Sequence, residues 1–92
     1  MKIVINTTPG GFGLSQKAYK ELDLERDDYG FAYKDFSMRS NEDLVRVVEK
    51  LGSEASGFLA NLKVVEIPDD IEWEIEAYDG LEWVAEKHRT WY

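Results

Sequence analysis

Ile71-Glu72-Trp73-Glu74-Ile75-Glu76-Ala77-Tyr78-Asp79-Gly80-Leu81-Glu82-Trp83-Val84 decides how this chain is read. Ile71, Trp73 and Ile75 alternate with Glu72, Glu74 and Glu76. Side chains of a strand point to opposite faces in turn, so this alternation predicts a half-buried strand, apolar inward and acidic outward. Asp79-Gly80 is a strong signal for a two-residue hairpin turn. Leu81 to Lys87 is then the returning strand, with Trp83 on one face and Val84 on the other. A helix is the competing reading, because Leu81, Val84, Ala85 and His88 also share a helical side; the Asp-Gly turn favours the hairpin.

Upstream of the hairpin, Leu62 to Ile67 reads as another apolar strand, ended by Pro68, which has no N–H for a ladder. Before that, Leu44, Val47, Val48 and Leu51 form an i, i+3, i+4, i+7 stripe, the mark of an amphipathic helix. Ser40 and Asp43 have capping-box spacing at its start, and Gly52 suits its end. Glu42 and Arg46 are spaced to pair on its surface. A further short helical piece is expected over Glu54–Leu59. At the front of the chain, Lys2 to Asn6 reads as a strand with apolar residues on both faces. The loop Thr7 to Gly13 follows, then a short helix over Gln16–Leu22 with Ser15 as its N-cap. Between Asp23 and Met38 the alternation of Tyr29, Phe31 and Tyr33 suggests a short strand, and the aromatics are expected to fold back onto the core. The expected fold is a single compact α+β domain over residues 1–92. It has two main helices packed on a mixed or antiparallel sheet that includes the C-terminal hairpin.

The composition fits one such domain. The chain has 92 residues, is 43% hydrophobic and contains no cysteine, which excludes a disulfide scaffold and thiol chemistry. No apolar run is long enough for a membrane span and no signal peptide opens the chain, so the expected setting is cytoplasmic. Net charge is −8, and it is unevenly placed. Residues 1–46 sum to −1 and residues 47–92 to −7. From Glu66 to Glu86 there are nine carboxylates and no Lys or Arg. Duplex nucleic acid is a poor partner for such a stretch, because phosphate contacts need cations. A basic protein fits it.

Four groups of residues are candidates for function. The segment Pro9-Gly10-Gly11-Phe12-Gly13-Leu14-Ser15 links a strand to a helix, an arrangement that can present free N–H groups to an anion. It departs from both the dinucleotide and the Walker patterns. A small anionic ligand or nucleotide there would meet Gly10, Gly11, Gly13, Ser15 and Lys17. Phe12 is either a plug over the core or an exposed contact. His88 with a carboxylate such as Glu86, Glu66, Glu72 or Asp79 would suit a small hydrolase, but catalysis needs a nucleophile, a base and an orienter in set geometry, and one histidine near the end of the sequence is poor evidence for that. Glu72, Glu74 and Glu76 lie about 6–7 Å apart on one strand face, without the loop pattern of a calcium site. No metal site and no cofactor is expected. Finally, Trp83, Trp91 and Tyr92, beside those glutamates, suit a protein interface, since large aromatics with one polar atom favour such surfaces. Trp73 and Trp83 are expected to meet across the hairpin.

Three stretches carry a resemblance: M-K-I-V-I-N with G-G-F-G-L-S, L-K-V-V-E-I-P-D-D, and Y-D-G-L-E-W-V-A-E-K-H-R-T-W. Together they resemble a family of small uncharacterised bacteriophage and prophage proteins. The resemblance implies expression inside an infected bacterium and transfers no catalytic role. The expectation is a non-enzymatic phage accessory protein. It would contact a host or phage protein through an acidic face, with homo-oligomerisation compatible.

Overall fold

The computed structural model describes residues 1–22, 33 and 35–86. Strand β1 (Lys2–Asn6) is followed by the short helix α1 (Gln16–Glu21), a 3-10 turn (Phe36–Met38) and helix α2 (Glu42–Leu51). A second 3-10 turn (Gly52–Ala55) leads to β2 (Leu62–Glu66), and the chain then forms β3 (Trp73–Tyr78) and β4 (Leu81–Glu86). The α+β reading holds in this form. The strands make two separate antiparallel pairs, β1 with β2 and β3 with β4, where one sheet was expected.

Parity along β1 explains why two pairs form. Val4, with Leu62 and Val64 of β2, faces a cluster built from Leu44, Val45, Val47 and Val48 of α2 and Ala18 of α1. Ile3 and Ile5 face the other way, onto Ile75, Trp73 and Val84 of the hairpin, Val65 of β2 and Ile67 just past it. The β1–β2 pair is thus the middle of three layers, helices on one side and hairpin on the other. Ile3, Val4, Leu44 and Val47 are wholly buried, each stabilising the fold by about 1.5–3 kcal/mol relative to exposure.

The helix termini correct two expectations. Asn41, not Ser40, caps α2: its side-chain oxygen accepts from the N–H groups of Asp43 (2.9 Å) and Leu44 (3.1 Å). Asn41 is the residue whose extended backbone lets its side chain fold over the first turn. Asn41→Ala should therefore lower stability by about 1 kcal/mol in urea unfolding, while Ser40→Ala leaves the cap intact. The piece expected over Glu54–Leu59 is instead the 3-10 turn ending at Ala55, because Gly52 turns the chain out of α2 with φ +59°. Arg46 pairs with Asp43 (3.4 Å) in place of Glu42.

The hairpin follows its turn chemistry. Asp79 (φ +52°) and Gly80 (φ +90°) are both left-handed, as a type I′ turn requires. The register sets Ile75 opposite Val84, Glu76 opposite Trp83 and Trp73 opposite Glu86. Trp73 and Trp83 are therefore on opposite faces and do not meet, contrary to expectation. The two tryptophans belong to different parities once a two-residue turn fixes the pairing.

Candidate functional site

The outer face of the β3–β4 hairpin gathers exposed carboxylates and large exposed side chains. The register places Glu74, Glu76 and Tyr78 of β3 on this face with Leu81, Trp83 and Ala85 of β4. Glu74 and Glu76 are exposed. Tyr78 is 76% exposed and Trp83 42%. Trp83 lies directly opposite Glu76, and Tyr78 opposite Leu81. The face is graded, with carboxylates toward Trp73 and large apolar groups toward the turn. Glu72 precedes β3 and is also exposed. Trp91, Tyr92 and His88 lie outside the described residues, as do the expected Tyr29 and Phe31 strand positions.

One carboxylate of the acidic run does something different. Glu82 faces inward opposite Ala77 and is buried against Arg39. Arg39 Nη2 donates to Glu82 Oε2 at 2.9 Å and Arg39 Nη1 donates to Oε1. Oε1 also accepts the N–H of Asn6 (2.8 Å). The Arg39 guanidinium donates through Nε to the Tyr33 carbonyl (2.6 Å) and stacks 3.8 Å above the Phe12 ring. The Arg39 backbone carbonyl accepts from the Val4 N–H (2.8 Å). The free edge of β1 is thus closed by an arginine and a glutamate instead of a third strand. Phe12 is a plug under that arginine. Asp35 caps the 3-10 turn that delivers Arg39: the Ser37 N–H and then its hydroxyl hold the Asp35 carboxyl below its ordinary value. That cap contributes stability at neutral pH and loses it as pH falls through the lowered folded-state value.

Sequence reasoning missed this pair. The signal was in the hairpin register, since a two-residue turn puts Glu82 on the same face as Ile75. A carboxylate on a buried face needs a cation and hydrogen bonds. Nothing in the spacing pointed to Arg39, which is 43 positions away.

The glycine-rich segment is built into packing. A Cβ on Gly10 would overlap the Leu59 carbonyl and side chain, and one on Gly80 would overlap Pro9 and Gly11. The loop is therefore clasped between the hairpin turn and the Leu59 backbone. Asn6 fastens it, donating to the carbonyls of Thr8 (2.6 Å) and Gly80 (2.8 Å) and accepting from the Asn61 N–H (2.9 Å). Ser15 caps α1 and donates to the Glu54 carbonyl, Gly13 accepts from the Gly57 N–H, and Lys17 pairs with Glu54 at 2.9 Å. Gly11 keeps a positive φ of +89° with open space beside it. A depression of about 530 Å³ adjoins Ser15, Lys17 and Glu54.

A larger depression of about 770 Å³ lies between the start of β1 and α2. Two ion pairs lie within it, Lys2 with Glu49 (2.8 Å) and the Met1 ammonium with Asp69. Among the described residues no three His, Asp or Glu side chains gather as a metal site. No described helix is long and apolar enough to cross a membrane. No protein-family model, curated protein or solved structure gives a significant match to this chain.

Proposed function

We propose that this protein is a non-enzymatic phage accessory protein that binds a basic partner protein through the outer face of the β3–β4 hairpin. The observation that carries the reading is the pairing of exposed Glu76 with half-exposed Trp83, flanked by Glu74, Tyr78 and Leu81. A large aromatic with an apolar neighbour supplies buried contact area. Carboxylates beside it select cationic partners and speed their encounter. The Glu66–Glu86 stretch contains no Lys or Arg to neutralise them locally.

The test is binding of short lysine-rich peptides carrying one apolar anchor. Affinity should fall about tenfold between about 50 and about 300 mM salt. The Glu74→Lys/Glu76→Lys double variant should weaken it about tenfold or more, and Trp83→Ala should cost about 2 kcal/mol of binding. Reversing Glu42 and Glu54, which lie at the helices, changes net charge equally and should have a much smaller effect. Equal losses from both double variants would show a response to net charge alone and remove the proposed face.

A further inference from the structure

Among the described residues, β3 has a strand partner on one edge only, that of β4. In a hairpin closed by a two-residue turn, Tyr78 and Leu81 exchange hydrogen bonds, as do Glu76 with Trp83 and Glu74 with Ala85. The N–H and C=O groups of Trp73, Ile75 and Ala77 therefore point away from β4. Among the described residues no strand pairs with them and no backbone hydrogen bond takes them up. Alongside this edge runs a slot of about 270 Å³ lined by Phe36, Ser37, Trp73, Glu74 and Ile75. Phe36 is 41% exposed.

We infer that the basic partner is an extended segment that adds as a strand to the edge of β3 remote from β4, with cationic and apolar side chains in alternation. This rests on the proposed acidic face and specifies how that face is read. An added strand completes the unpaired backbone groups, and its own side chains alternate between two faces. On the outer side they come beside Glu74 and Glu76, so cations fit there. On the inner side they come to the slot between Phe36, Trp73 and Ile75, so apolar groups fit there. A block of charge followed by a block of apolar residues satisfies neither side.

The probe is a seven-residue peptide alternating lysine with valine, compared with the same composition arranged in two blocks. Binding is read from tryptophan fluorescence and amide shifts. The alternating peptide should bind about tenfold more tightly than the block peptide. Two N-methylated versions, one for each alternate set of backbone amides, separate edge pairing from surface attraction. One set should weaken binding about tenfold and the other should leave it nearly unchanged, because only one set faces β3. Ala77→Pro removes an outward N–H without touching the β3–β4 ladder. It should abolish the preference for alternation while circular dichroism stays that of the parent.

Equal effects of the two methylated sets, or equal binding of block and alternating peptides, overturn strand addition. The acidic face survives those results if Glu74→Lys/Glu76→Lys still weakens binding. Both readings fall if that reversal has no effect. Self-association through this edge that the peptide does not displace, seen by sedimentation, also overturns the inference.

Discussion

Glu82→Ala is expected to lower stability by about 3–5 kcal/mol, because it removes the carboxylate that pairs bidentately with the buried Arg39 guanidinium. The side chains concerned are 1% and 6% exposed. The loss spreads beyond one ion pair, since Glu82 also accepts the Asn6 N–H on the edge of β1 away from β2. Domains of this size have only about 5–15 kcal/mol in total, so this single change consumes a large part of the margin. The counterpart Arg39→Met leaves a buried carboxylate and should cost a similar amount. The double variant Arg39→Met/Glu82→Leu removes both charges and should be more stable than either single variant, although the Asn6 N–H then lacks its acceptor. Urea unfolding of the four proteins measures this coupling. Additive losses would mean that the pair does not act as a unit.

Gly80→Val is expected to cost about 2–4 kcal/mol, through a β-branched side chain forced into the left-handed region and overlap with a packed neighbour. Gly80 has φ +90°, and a Cβ there would run into the Pro9 carbonyl and the Gly11 nitrogen. Gly11→Ala is the informative contrast. It shares the positive φ but has open space around it, so it should cost no more than about 1–2 kcal/mol. Thermal or urea unfolding of both variants checks the order. Equal losses would mean that backbone strain alone, and not the clasp between the turn and the Pro9–Gly11 loop, decides the cost.

Local patterning made much of the fold legible. The Asp79-Gly80 turn and the alternation around Ile75 located the hairpin, because a turn type and a period of two are both short-range properties. The stripe from Leu44 to Leu51 located α2 for the same reason. The layering was not legible. Ile3 and Ile5 look like Val4 in any composition, and only the third dimension assigns them to different clusters. The cap of α2 lies one residue past the expected Ser40, since Ser40 and Asn41 are both good caps and the backbone entry angle chooses between them. The nine carboxylates from Glu66 to Glu86 were read as one field. The structure separates Glu82, which is structural, and Asp69, which meets the Met1 ammonium, from the exposed Glu74 and Glu76. Trp83 stands 42% exposed opposite Glu76. Its separation from Trp73 required the register.

The glycine-rich segment shows the same limit. Glycine tolerates a close approach of any kind, whether from a ligand or from the chain's own backbone. Here Gly10 faces Leu59, and Pro9 and Gly11 face Gly80, all within the protein. The residues that distinguish those cases are distant in sequence, at positions 59 and 80.

Amide-shift mapping of a bound lysine–valine peptide tests the central claim most directly. The account predicts changes concentrated along β3, largest at the outward amides of Trp73, Ile75 and Ala77, extending through Glu74 and Glu76 to Trp83 opposite, with little change along α2. Changes centred on the depression beside Lys2 and Glu49, or on Ser15 and Lys17, with the hairpin unmoved, would contradict it.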